Sequence, residues 1–172
     1  MVTSSAVNGN AISTTELKAF SGDDYYLEKW QGLQQGRSKF AGFNLFAAVF
    51  GAYWCFFRKM YGLGCVLLLS EFLLAVIIGI SYAVVTGDHT FKSSSTQAAE
   101  YVGTLIITRV GLGFWANIAY FKKAVKVISK ADSLNVSNDM YLNIIKSAGG
   151  INFPAMFVPM VIYVAMRVLM QT

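Results

Sequence analysis

Four apolar runs, 43–57, 63–86, 101–121 and 151–170, occupy nearly half of a 172-residue chain. Each must be either packed inside protein or placed in lipid. A helix needs about 20 residues to cross a bilayer, a length that the last three runs reach and the first does not. A globule of this size lacks the polar surface to cover all four, since only 13% of residues are charged and 55% are hydrophobic, against about 25% charged in an average soluble domain. The mean hydropathy of +0.51 and an aromatic content of 15% also exclude a disordered chain. The expected fold is an all-α, polytopic membrane domain with about three spanning helices and a short hydrophobic helix ahead of them.

Orientation follows from the basic residues, because Lys and Arg in short flanking loops stay on the cytoplasmic side. Arg58 and Lys59 precede the second run, while Lys122, Lys123, Lys126, Lys130 and Lys146 follow the third. The segment 87–100 between those runs holds only Lys92. The spans 61–86 and 101–121 therefore form a hairpin, with 87–100 as a periplasmic loop and 122–150 as cytoplasmic basic helices. Lys18, Lys29, Arg37 and Lys39 place the N-terminal region inside as well. The run 43–57 is then a re-entrant or interfacial element, with a fourth full span as the alternative. The run 151–170, with Pro154 in its first turn, Pro159 placed to kink it and Arg167 within reach of the interface, is expected to span; the alternative is a tilted surface helix.

Residues 1–22, rich in Ser, Thr, Asn and Gly, read as a flexible cytoplasmic tail without the apolar core of a cleavable signal peptide. The remainder, 23–172, reads as a single membrane domain. At its start Asp23 or Asp24 can cap an interfacial helix within 23–41 that sets Tyr26, Trp30 and Leu33 at headgroup depth. Lys122, Lys126 and Lys130 recur every four residues, as on a helix lying along an anionic surface. With Arg58, Lys59 and Lys123 they form the expected lipid-contacting basic set. A net charge of +5, scattered along so apolar a chain, does not indicate nucleic acid. Asn135-Val136-Ser137 fits a glycosylation pattern by chance on the cytoplasmic side, and Ser137 or Asn138 is read as a helix cap.

Two ionisable residues fall within predicted spans. Glu71 is ten positions past Tyr61, and Arg109 is twelve before Phe121. At about 1.5 Å per residue these lie roughly 15 and 18 Å from the cytoplasmic ends, so an intramembrane ion pair is expected, serving either to fix the hairpin register or to line a polar path. Ala75, Gly79 and Ala83 repeat at the four-residue spacing that lets helices approach closely in lipid. Gly111, Gly113 and Asn117 extend that packing or partner face onto the next run. Cys55 and Cys65 read as buried small hydrophobes. His89, the only histidine, stands beside Asp88 with no Cys or second His nearby to bind metal or build a nucleophile and base pair. Neither catalysis nor a cofactor or metal is expected.

The stretch from Phe43-Asn44 through Ala47-Ala48 and Trp54 to Arg58-Lys59-Met60-Tyr61 resembles the signature of a family of small bacterial inner-membrane proteins of unknown function. Gly111-Leu112-Gly113-Phe114-Trp115-Ala116-Asn117 resembles that family's second motif. Together they cover 43–128, and the resemblance assigns no activity to any residue. In type, without a motif, the chain also resembles the membrane-embedded immunity proteins that bacteria keep against pore-forming toxins of type VI secretion. This implies inner-membrane location, with lipids and a cognate membrane-acting toxin as partners. The alternatives are a transport or lipid-handling accessory protein and a membrane scaffold.

Overall fold

The first helix starts where the sequence supplies a reciprocal cap. Ser13 Oγ accepts from the Glu16 amide at 3.2 Å, and the Glu16 carboxylate accepts from the Ser13 amide at 2.7 Å. Two donors that a helix N-terminus leaves open are thereby satisfied, and α1 (Thr14–Ser21) follows. Asp23 accepts from the Tyr25 amide at 2.9 Å and caps α2 (Asp24–Gln34). The structure, a computed structural model, describes residues 12–87 and 95–162. Its other elements are α3 (Leu45–Phe50), α4 (Ala52–Phe57), α5 (Tyr61–Thr86), α6 (Ser95–Asp132), α7 (Asn138–Ala148) and a 3-10 turn (Pro154–Phe157). The described residues form an all-α fold, with no strand among them.

Leu17 and Phe20 of α1 and Tyr26 and Trp30 of α2 recur at helical spacing and are buried against α7 and the C-terminal half of α6. Tyr120 stands at the centre, with ring centroids 5.2 Å from Phe20, 4.9 Å from Tyr26 and 5.4 Å from Trp30. Ala124, Ile128, Ala131 and Ile145 complete this core. The Tyr141 hydroxyl of α7 hydrogen-bonds the Glu16 carboxylate; burial, and then that bond, raise the phenol's pKa. Two expectations change here. Residues 13–21 are a capped, packed helix, whereas the tail reading overlooked the Ser13 and Glu16 box; residues 1–11 lie outside the described ones. Tyr26 and Trp30 are buried inside a helical cap instead of facing outward from a surface helix, because the same spacing serves an interfacial helix and a bundle helix alike.

The second part of the molecule is apolar on its outside. Residues 43–57 form two six-residue helices, α3 and α4, broken at Gly51. Among the described residues one helix, α5, is long and apolar enough to cross a membrane by length and composition. Only 11% of its most apolar window is buried, so it is not the core helix of a globule. Val66, Leu69, Phe72, Ile77 and Ile80 are exposed on α5, as are Ile106, Ile107, Val110 and Phe114 on α6. Three spans are not found among the described residues. The run 101–121 is interrupted by Arg109 and Asn117, and its last turns pack into the cap. The run 151–170 opens as a 3-10 turn with Pro154 in its first turn, and residues 163–172, Arg167 among them, lie outside the described ones.

The boundaries around α6 also move. It begins at Ser95, inside the segment read as a loop, and runs unbroken through Lys122 to Asp132. No Gly or Pro stands between Phe121 and Asp132 to end it. The basic stretch therefore shares the axis of the apolar stretch instead of lying crosswise on a surface. His89 and Lys92 fall outside the described residues. Cys55 is buried as expected, but Cys65 is exposed on the outward side of α5.

Candidate functional site

The structure brings Glu71 and Arg109 together. Arg109 Nη2 lies 2.9 Å from Glu71 Oε1, and each side chain is 18% exposed. Fifteen positions separate Glu71 from the end of α5 and fourteen separate the start of α6 from Arg109, so the two helices are matched arms of a hairpin. Sequence reasoning missed the third participant, Gly51. Its φ of +55° is a conformation that L side chains rarely adopt, and a Cβ there would run into the Arg109 guanidinium. Arg109 Nη1 also reaches the Val49 carbonyl at 3.5 Å, at the end of α3. The guanidinium thus occupies the break between α3 and α4, where the backbone turns and a carbonyl comes free.

A second polar cluster lies about two turns further along α6. Asn44 Nδ2 donates to Asn117 Oδ1 at 2.8 Å, and Asn117 Nδ2 donates to the Ala41 and Gly42 carbonyls at 2.9 and 3.2 Å. Asn44 Oδ1 accepts from the Ala47 amide and so caps α3, while the Asn44 amide donates to the Gly113 carbonyl at 2.8 Å. Trp30 Nε1 completes the cluster, donating to the Asn117 carbonyl at 2.9 Å. Asn44 was not among the expected site residues. A signal for it existed, since an Asn in each of two apolar motifs must find a hydrogen-bond partner once buried.

The expected partner face divides. Asn117 and Gly113 point inward, and a Cβ on Gly113 would collide with Phe43. Gly79 and Ala83 are buried. Ala75 and Gly111 alone remain outward, with nothing within 4 Å of a Cβ built on Gly111.

The expected basic set divides as well. Lys122, Lys126 and Lys130 are exposed. Arg58 is buried, its guanidinium over the rings of Tyr26 and Tyr120 at 4.6 and 5.4 Å. It therefore belongs to the cap and not to an open surface. Lys123 turns inward, donating to the Arg58 and Lys59 carbonyls at 3.1 and 3.0 Å, and Lys59 donates to the Ser147 carbonyl at 2.8 Å. The free carbonyls at the end of α4 thus acquire a cation.

Burial, and then the Lys59 ammonium, lower the Lys123 pKa to about 8, beneath the ordinary lysine value of about 10.4. Between those values the unfolded chain binds more protons than the folded one. Lys123 therefore contributes stability that rises with pH from about 8 towards 10. In Lys123→Met this rise should disappear, measured as the unfolding midpoint across that interval. A midpoint with the same pH slope in both proteins would remove Lys123 as its source.

Among the described residues no group of three or more His, Cys, Asp or Glu side chains is placed to hold a metal ion. The family profile described as Protein of unknown function (DUF2628) matches residues 10–126, from before α1 to late in α6. That span includes Arg58, Glu71, Arg109 and both asparagines. No curated protein and no solved structure matches the chain.

Proposed function

The chain belongs to the DUF2628 family, and from that premise we propose a non-enzymatic, multi-pass protein of the bacterial inner membrane that acts by binding another protein within the bilayer. The observation that carries this reading is the uncovered apolar surface of α5 and the first half of α6, where Val66, Leu69, Phe72, Ile77, Ile80, Ile106 and Ile107 are all exposed. Contiguous apolar patches beyond a few hundred Å² mark membrane or protein contact. In the proposed topology α5 and the apolar part of α6 cross as a hairpin locked by Glu71 and Arg109. The helical cap and Lys122, Lys126 and Lys130 are cytoplasmic, and 151–170 adds a third crossing. A single histidine with no Cys or second His nearby in the sequence supports a binding role over a catalytic one.

The specific form we propose is immunity to a membrane-acting, pore-forming toxin, with Gly111 and Ala75 on the recognition face because they alone of the small-residue set face outward. The test is survival of cells that express a membrane toxin encoded beside this gene. Gly111→Leu should abolish protection without reducing the protein in the membrane, and His89→Ala should leave protection intact. Reporter fusions should give periplasmic activity at Ser94 and none at Ser133; the reverse would overturn the orientation. If no such toxin is encoded nearby and deletion leaves cells equally viable beside toxin-armed competitors, immunity fails. The transport or lipid-handling accessory role, or a scaffold, then takes its place.

A further inference from the structure

A cavity of about 310 Å³ opens between the end of α1, the end of α4 and the segment after α7, lined by Ser21, Gly22, Asp23, Phe57, Arg58, Gly150 and Ile151. Its volume is at the lower end of small-molecule sites. Arg58 is the cation in its wall. The side chain is only 10% exposed, yet its hydrogen bonding is incomplete: Nε is buried with no partner, and Nη1 reaches the Ser21 carbonyl only at 3.5 Å. Nη2 stands 4.0 Å from the Asp23 carboxylate, which is itself half exposed. A guanidinium carries five N–H donors in a fixed fork suited to phosphate or carboxylate, and a buried one left unsatisfied is costly. Here the fork is held in place by the rings of Tyr26, Phe57 and Tyr120.

The surroundings narrow the ligand. Lys59 and Lys123 stand at the same turn, with Lys123 bonded to the Arg58 carbonyl, so positive charge exceeds the one carboxylate of Asp23. The rim is apolar: Ile151, Phe153 and Phe157 are exposed beside the cavity, and α5 begins three residues after Arg58. We infer that this cavity binds the phosphate group of an anionic phospholipid, with Arg58 as the phosphate ligand and the acyl chains over Ile151, Phe153 and Phe157. The pocket stands on its own geometry; only the lipid source of the phosphate rests on the proposed membrane location.

The full chain in neutral detergent, followed by native mass spectrometry, tests this with three probes: phosphatidylglycerol, phosphatidylcholine and inorganic phosphate. One phosphatidylglycerol per chain should be retained in preference to phosphatidylcholine and should resist displacement by inorganic phosphate. Arg58→Gln should weaken retention at least about tenfold, and Lys39→Gln, an exposed cation that does not line the cavity, should not. Asp23→Asn keeps a good helix cap and removes the competing carboxylate, so it should tighten retention even if Arg58→Gln does not fold. Phosphatidylglycerol affinity unchanged in Asp23→Asn would overturn the site. Inorganic phosphate bound in an Arg58-dependent way without preference for phosphatidylglycerol would overturn the lipid as source. Carbonate-resistant fractionation with membranes, scored separately, reports on the membrane location alone.

Discussion

Replacing Glu71 by Ala is expected to destabilise the folded protein by about 3–5 kcal/mol, because it leaves the Arg109 guanidinium mostly buried with no carboxylate beside it. Arg109→Ala strands the carboxylate and should cost a similar amount. The double variant should lose less than either single one, since it removes both charges together. Thermal unfolding of the four proteins in one detergent gives the comparison. Losses that simply add in the double variant would mean that the two side chains act independently. Gly51→Ala probes the same place from the other side, because its Cβ would meet the guanidinium and its backbone is left-handed. Its loss should shrink in the Arg109→Ala background, where only the backbone strain remains.

Asn117→Leu should cost about 3–5 kcal/mol, although Leu nearly matches Asn in shape. The variant orphans Asn44 Nδ2 and the Ala41 carbonyl in a fully buried place, and each such group costs about 1–3 kcal/mol. Trp30 keeps its bond, which goes to the Asn117 carbonyl of the main chain, so its fluorescence remains a local reporter of unfolding. Asn44→Ala should lose a similar amount and also the cap of α3. A loss below about 1 kcal/mol for Asn117→Leu would show that the asparagines are not the clasp joining the α3 segment to α6.

These two clusters were legible to different degrees. Glu71 and Arg109 could be paired from the sequence because both sit on long helices, where position converts directly into depth along the axis. The Asn44 and Asn117 contact spans 73 positions and depends on how the irregular segment before α3 docks, which no local periodicity reports. The two apolar motifs supplied its residues without revealing that they bind one another. Arg58 was misread for a related reason. The rule that retains cations on the cytoplasmic side fixes the side of the membrane and is silent on burial. Only the fold places Tyr26, Phe57 and Tyr120 around that guanidinium. The cap was hidden in the same way, since Leu17, Phe20, Tyr26 and Trp30 have the spacing of any amphipathic helix.

The unbroken course of α6 makes the molecule a lever. Its 38 residues extend about 57 Å, with Arg109 fixed against α5 near one third of the length and Asn117 clasping the α3 segment beyond it. From Arg109 to Asp132 the arm is about 35 Å, so a tilt of about 10° around the ion pair swings the lysine-bearing tip sideways by about 6 Å. α1, α2 and α7 are packed on that arm and travel with it. With α6 inserted as proposed, a change in bilayer thickness that alters its tilt becomes a displacement of the cap large enough to read with a spectroscopic label at Lys130.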